Sequence, residues 1–552
     1  MQNVALADAF EEIADYLELG GDNPFKIRAY RRAAEAILDY PAAIEDASDD
    51  ELEALDGLGA ATVAKTREWG ATGQIRLLEH LRRENPPGLL EVLRVPGLGP
   101  KKVKLLYKEK EIDSLEKFAV ALDNGELVGV SGFGPKTIAN LKVSLRRMAE
   151  LSARMPLTRA RVLADKIVRA FAEAMPDIEL HQAGSLRRGL DTIGNLNFVA
   201  RSDDAAEALD AFANLPIIGD VATRDQSSLQ ARTLTGMEVY LTVAPIANFG
   251  HALWFATGSH AHTEAVEIVG EFADETALYA AAKAQYIAPE LREGNGEWEA
   301  ARAGTLPTLV EVADIRGDLH THSTWSDGVA TIAQMAAAMA ERGYAYFAVT
   351  DHSKALAMTN GLNAVRLREQ AKEIEAARAQ FPDLLILRGI ECDILRDGSM
   401  DLDDEILDEL DWVIGSVHSA FNLPIGEQTA RMIAAIQNPR VDMIAHPTGR
   451  VLGTRAPYDV DVDALIEAAK SSGTVLEINA SERLDLKDEH AFAARAAGVK
   501  LCVNTDAHSP KMLGNVEFGI TVARRAWCEA ADVFNCQSAA QLKQWLETRK
   551  SA

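Results

Sequence analysis

Asp318–Gly328 reads DLHTHSTWSDG and sets the interpretation of the C-terminal half of this 552-residue chain. In an extended segment residues two apart share a side, so His320 and His322 point together, with Asp327 shortly after. Similar stretches recur downstream: YFAVTDH (346–352), LLILRGIECDI (384–394), DWVIGSVHS (411–419), VDMIAHP (441–447), GTVLEINAS (473–481) and KLCVNTDAHS (500–509). Each is an apolar run ending in polar residues, and helix-like segments separate them. Regular strand–helix alternation over this length predicts a barrel-like parallel α/β domain whose chemistry collects at the carboxyl ends of the strands.

Those ends supply His352, Glu391, His418, His446, Asp506 and His508, which join His320, His322 and Asp327. Six of the twelve histidines of the chain fall in this set. Imidazole and carboxylate together suit Zn²⁺, Mn²⁺ or Fe²⁺, and nine such groups exceed what one ion can use. Two or three ions sharing bridging carboxylates is the natural solution. A single histidine of this kind could equally be a satisfied core residue; the set taken together points to metal.

The formal net charge of −26 excludes a chain that coats nucleic acid over its whole surface, but not a local basic region. Arg76–Arg161 holds 17 Lys+Arg against 10 Asp+Glu. Four irregularly spaced cysteines (Cys392, Cys502, Cys528, Cys536) make no disulfide framework. No long apolar run or secretory leader is evident, so a soluble, cytoplasmic protein with no membrane partner is expected.

The N-terminal part is helical and carries three related interruptions: LDGLGAATVAKTREW (55–69), VPGLGPKKVKLLYKE (95–109) and VSGFGPKTIANLKVS (130–144). In each, two glycines flank one apolar residue: Gly57 and Gly59, Gly97 and Gly99, Gly132 and Gly134. Such a turn aims backbone N–H groups at a helix N-terminus where a phosphate can sit, and Lys101, Lys102 and Lys136 lie just behind. Three copies predict a helix-hairpin-helix array that grips a DNA backbone without reading sequence. Helix caps in an ordinary bundle are the alternative.

Between these regions lies AGSLRRGLDTIGNLNFVAR (183–201). Ser185, Arg187 and Arg188 could hold phosphate, and Asn195 and Asn197 lie on one face of the strand that follows. A metal-dependent nucleotidyl-transfer site would place carboxylates there. IAPELRE with the Gly/Glu-rich GNGEWEAARAG reads as a linker near 287–304.

Segment 314–510 resembles the PHP (polymerase and histidinol phosphatase) domain. The whole chain resembles the bacterial family X DNA polymerases, through NPFKIRAYRRAA, VPGLGPKKVKLLY, GSLRRG, DLHTHSTWSDG and HPTGR. The resemblance implies a multidomain protein: a helical domain with the first helix-hairpin-helix (1–82), a helix-hairpin-helix DNA-binding domain (83–152), an α+β nucleotidyltransferase-like palm with a shortened thumb (153–300), and a distorted (β/α)7 PHP barrel (312–552). It implies Mn²⁺ and/or Zn²⁺ on the nine positions named above. His320, His322, Glu391, His418 and Asp506 would form one shared pair of sites, and Asp327, His352, His446 and His508 would hold another ion. It further implies 3′→5′ exonuclease action, or related 3′-end cleaning or abasic-site incision, on gapped, nicked or 3′-ended DNA by a monomer. His320, Glu391, Asp506 and Arg450 would be catalytic, with Arg450 and Lys354 as candidate phosphate clamps.

In the same family the palm carries three aspartates where this chain has Asn195, Asn197 and Tyr240. Neutral amides and a protonated phenol cannot balance two Mg²⁺ ions. Only about 20 residues separate FATGSHAHTEAV from IAPELRE, where the family has a longer, strand-rich piece. Polymerisation is therefore expected to be lost. Lys65 and Tyr30 match a lyase lysine and its supporting tyrosine in eukaryotic relatives. A small-molecule phosphatase of the histidinol-phosphate type and a non-catalytic DNA scaffold are the competing readings.

Overall fold

The computed structural model describes every residue except 1, 41–43, 45, 46, 49, 50, 53, 54, 56, 94, 96, 153, 357, 358 and 552. It divides into two compact units, Met1–Ser152 and Ala153–Ala552.

The first unit is helical. Helices α1 (Gln2–Gly20) and α2 (Pro24–Asp39) pack together. Phe10, Ile13 and Leu17 on α1 and Tyr30, Ala33 and Ile37 on α2 recur at three- and four-residue intervals and are buried. Asn23 caps α2 by accepting from the Phe25 N–H at 2.9 Å, and Pro24 occupies its first turn. Each of the three glycine pairs opens a helix: α3 (Ala60–Thr72), α4 (Pro100–Lys110) and α5 (Pro135–Ser152). The first glycine of each pair takes a left-handed φ (98° at Gly57, 94° at Gly97, 82° at Gly132). Only glycine adopts that conformation without strain, so the repeat is dictated by the backbone turn. A Cβ at Gly57 would also lie 2.9 Å from the Arg32 carbonyl oxygen.

The second unit begins with α6 (Leu157–Ala174), which packs on a five-stranded sheet. Its strands are β1 (Glu179–Ala183), β2 (Leu196–Arg201), β3 (Ile218–Arg224), β4 (Ser228–Thr233) and β5 (Glu238–Ala244), in the spatial order β1-β2-β5-β4-β3. Only the β2–β5 pairing is parallel. Between 267 and 286 the chain forms one short helix, Glu275–Ala281, and no strand.

Seven parallel strands follow: β6 (Gly317–Thr321), β7 (Tyr346–Val349), β8 (Leu385–Asp393), β9 (Trp412–Ser416), β10 (Met443–Ile444), β11 (Val475–Asn479) and β12 (Leu501–Asn504). They run in sequential order, and most of their residues are buried, as expected of parallel strands covered on both faces. Side chains close the ring between β12 and β6. Asn535 Nδ2 donates to the Gly317 and Val503 carbonyls at 2.8 and 2.6 Å, and Asn504 Oδ1 accepts from the Leu319 N–H at 2.9 Å. The fold class is thus helical helix-hairpin-helix modules, a mixed α+β sheet and a nearly closed seven-stranded barrel.

The linker expected near 287–304 is instead folded core. Ile287, Leu291, Arg292, Glu297 and Trp298 are all buried. Arg292 pairs with Glu275, and Glu297 accepts from the Gly294 and Asn295 N–H groups and meets His262 Nδ1 at 2.7 Å. The mixed sheet and the barrel are joined by ion pairs. Arg525, on the helix Val516–Arg525, contacts Glu293 at 2.8 Å and Asp488 at 2.7 Å, and donates to the Arg188 carbonyl at 2.9 Å.

Candidate metal centre

All nine metal-capable positions converge at the carboxyl ends of the barrel strands. Glu391, near the end of β8, is the hub. Its carboxylate lies 2.8 Å from His352 Nδ1, 2.9 Å from His446 Nε2, 3.4 Å from His418 Nε2 and 3.5 Å from His320 Nε2. Asp506 Oδ1 is 3.0 Å from His322 Nε2 and 3.5 Å from His320 Nε2. Asp327 meets His508 Nε2 at 3.4 Å and His352 Nε2 at 3.6 Å. Three sets bring their ligand atoms close enough to share an ion: His322, Asp327, His352 and His508; His320, His322 and Glu391; His352, Glu391 and His418. The expected grouping placed His352 and His446 together with Asp327 and His508. His446 lies in none of these sets, and its Nε2 faces Glu391 at 2.9 Å.

The backbone bends to present two of these groups. His446 and Asp506 have φ of 30° and 53°, a region that L-residues with side chains enter at a cost, and one that clusters at functional sites.

Other side chains orient the imidazoles. Glu477, wholly buried in β11, accepts from His320 Nδ1 at 2.8 Å and from the His446 N–H at 2.8 Å. His508 Nδ1 donates to the Asp506 carbonyl at 2.8 Å, and His418 Nδ1 faces Asp393 Oδ1 at 3.3 Å. Each contact leaves the Nε2 lone pair free for a metal, the usual arrangement around a ligating histidine. Asp351 fixes the loop carrying Asp327, accepting from Ser323 N and Oγ at 2.8 and 2.6 Å and from Ser326 N at 3.1 Å. Sequence reasoning passed over Glu477 and Asp351. The available signal was a lone carboxylate within an apolar strand, and one directly before a ligand histidine.

The donor set fits divalent ions. His320 Nε2, both nitrogens of His322, His352 Nδ1, His446 Nδ1 and Glu391 Oε2 are buried yet make no hydrogen bond. Orphaned buried polar atoms are costly, and here they belong to side chains that gather around Glu391 and Asp506. Burial opposes charge on Glu391, but the neighbouring His352, His418 and His320 outweigh it and hold its carboxyl well below the usual range. His322 is pushed down to about 3 by burial and by the charges of His508 and His352, so it stays neutral. Neutral imidazole and ionised carboxylate are the forms that ligate.

Burial would lower His320 and His352 too, but the surrounding carboxylates raise both well above the ordinary histidine value. Without metal these rings therefore hold protons at neutral pH, and an entering ion must displace them. Mn²⁺ affinity is expected to rise with pH through and beyond neutrality, with more than one proton released per protein at pH 7. Calorimetry in buffers of different ionisation enthalpy measures that release, and a value of zero would be contrary.

In the mixed sheet, Asn197 on β2 lies in register with Tyr240 on β5. Asn197 Nδ2 donates to Asn195 Oδ1 at 2.7 Å. The Tyr240 hydroxyl accepts from Gln230 Nε2 at 3.0 Å and donates to Glu238 at 3.3 Å. Arg187 forms a two-pronged pair with Glu275 at 2.9 and 2.7 Å, and Arg188 contacts Glu293 at 2.9 Å and the Thr257 carbonyl at 2.7 Å. Ser185 is half-buried beside them.

Arg450 does not stand free as a phosphate clamp. It is buried, pairs with Asp191 at 2.8 Å, and donates to the carbonyls of Arg483, at 3.0 Å, and Leu484. Lys354 is exposed. In the first unit Lys101 and Lys136 are exposed, while Lys102 Nζ donates back to the Gly97 carbonyl at 3.2 Å. Lys65 Nζ lies 5.5 Å from the centre of the Tyr30 ring and donates to the Ala61 carbonyl at 3.1 Å.

Comparison with known proteins agrees with this geometry. Residues 1–75 match a helix-hairpin-helix domain, 89–147 a SAM-like helix-hairpin-helix tandem, and 318–481 the PHP domain, a metal-dependent phosphoesterase fold. The chain is 37% identical over 561 residues to the DNA polymerase/3′-5′ exonuclease PolX of Bacillus subtilis (strain 168), covering 97% of this chain and 98% of that protein. A probable phosphatase of Thermoanaerobacter sp. (strain X514) is 31% identical over 250 residues, 42% of this chain and 95% of its own length. Another, of Shewanella oneidensis, is 32% identical over 217 residues, 37% of this chain and 81% of its own length. Full-length identity, together with both helix-hairpin-helix matches and the PHP match in the same chain, shows that it belongs to the family X DNA polymerases that carry a PHP domain.

Proposed function

We propose that this protein is a 3′→5′ exonuclease that trims DNA ends at its barrel and no longer polymerises. The observation that carries this reading is a contrast within one chain. Nine metal-capable side chains converge at the barrel. The matching metal positions of the mixed sheet hold two asparagines bonded to each other and a tyrosine. Divalent ions, when bound, supply Lewis acidity and lower the pKa of a coordinated water. The chain's own part is to hold that charge in place. Glu391 and Asp506 offer the anionic oxygens, Glu477 and Asp393 orient the imidazoles, and Asp351 braces the loop that brings Asp327 in. Mn²⁺ and Zn²⁺ both suit this mixture of nitrogen and oxygen donors.

The helix-hairpin-helix turns support DNA as the substrate, since a metabolite phosphatase has no use for three backbone-gripping modules. The barrel-only likeness to probable phosphatases supports monoester hydrolysis, including removal of a 3′-phosphate, as a second reading. A labelled primer–template with Mn²⁺ tests the choice. Stepwise shortening is expected, together with poor turnover of a small phosphomonoester. Efficient monoester turnover with intact DNA would favour the phosphatase reading.

A further inference from the structure

The barrel mouth contains a cation whose ion-pair partner, among the described residues, is itself a candidate metal ligand. Arg483 lies on the loop after β11, and its Nε is 3.7 Å from Asp506 Oδ2. Its Nη1 is buried and makes no hydrogen bond. Asp506 is its nearest carboxylate among the described residues, and that group already faces His320 and His322 in the ligand cluster. A second guanidinium, that of Arg455, lies half-buried against the Phe421 ring at 4.4 Å and donates from Nε to the Gly449 carbonyl at 2.7 Å. Burial, and next the charge of Arg483, pushes Arg455 down to about 10.

The loop is held firmly in this arrangement. Arg450 Nε donates to the Arg483 carbonyl at 3.0 Å, and Asp485 accepts from Thr448 N and Oγ1 at 3.0 and 2.9 Å. Arg450, which sequence alone nominates as a clamp, is thus a positioning residue for the segment bearing Arg483.

We propose that Arg483 binds the non-bridging oxygens of the substrate phosphate at the metal centre. The planar fork of a guanidinium matches two phosphate oxygens, and a donor already buried loses little on binding. The assignment rests on the phosphoesterase reading of this centre and adds a substrate-binding group to it.

The test uses the full-length, Mn²⁺-loaded protein with Arg483→Gln, Arg483→Lys and Arg455→Gln, and Arg368→Gln at an exposed ion pair as control. Three quantities are read: bound manganese per chain, turnover of a 3′-labelled oligonucleotide, and calorimetric affinity for thymidine 5′-monophosphate. Arg483→Gln is expected to keep its manganese and its melting temperature, to lose about 100-fold in turnover, and to bind the monophosphate at least about tenfold more weakly. Arg483→Lys should recover part of the affinity, and Arg455→Gln should show a smaller loss. Turnover and affinity within twofold of wild type in Arg483→Gln would overturn the proposal. So would loss of manganese, since Arg483 would then be supporting Asp506. Were the wild type to hydrolyse no DNA, the exonuclease reading would fall, while the monophosphate titration would still decide the role of Arg483.

Discussion

Glu391→Gln is expected to abolish Mn²⁺-dependent shortening of a DNA 3′ end, by about a thousandfold or more, in a protein that remains folded. Four imidazoles converge on that one carboxylate, at 2.8 to 3.5 Å. Glutamine keeps the shape but offers one neutral oxygen in place of two anionic ones, so no two ions can share it. Several kcal/mol of transition-state charge stabilisation depend on such ions, and about 4 kcal/mol corresponds to a thousandfold in rate. Glu477→Gln should cost less, about 10- to 100-fold, because it orients His320 without itself supplying a ligand. Steady-state rates on a labelled oligonucleotide, with metal content measured in parallel, give both values. A Glu391→Gln enzyme within tenfold of wild type would place hydrolysis elsewhere.

Supplied with Mg²⁺, a primed template and all four deoxynucleotides, the wild-type protein is expected to add no nucleotide. Losing the paired-ion contribution alone is worth roughly 5 kcal/mol or more, about 10⁴-fold. The site has also closed upon itself. Asn195 and Asn197 satisfy each other, Tyr240 is engaged by Gln230 and Glu238, and Arg187 is spent on Glu275. Burial pushes the Glu275 carboxyl up, but Arg187 and Arg292 outweigh it and hold it at about 2, so the pair stays charged at any pH suited to polymerisation. Gel analysis at single-nucleotide resolution reads the outcome. Template-directed bands above the primer would mean that neutral side chains suffice in this sheet.

The convergence of metal-capable side chains was legible in sequence because ligation restricts residue type and parallel strands restrict position. Histidines and acids at the ends of apolar runs can hardly be arranged otherwise. The glycine pairs were legible for a similar reason, since a left-handed turn before a helix admits little but glycine. What escaped was pairing. GNGEWEAARAG looks like a polar spacer, yet Glu297 is buried because His262 and two backbone N–H groups meet it. Arg450 and Arg483 are indistinguishable as letters. One bridges to Asp191 and the other faces Asp506, and only the folded backbone separates those roles.

The most direct single measurement is the anomalous scattering of a crystal grown with Mn²⁺, Mg²⁺, a nucleotide and a short primer–template. Two or three manganese peaks are expected among His320, His322, Asp327, His352, Glu391, His418, His446, Asp506 and His508, with no metal beside Asn195, Asn197 and Tyr240. An empty barrel mouth, or a nucleotide-bound ion pair in the mixed sheet, would contradict the division of labour proposed for this chain.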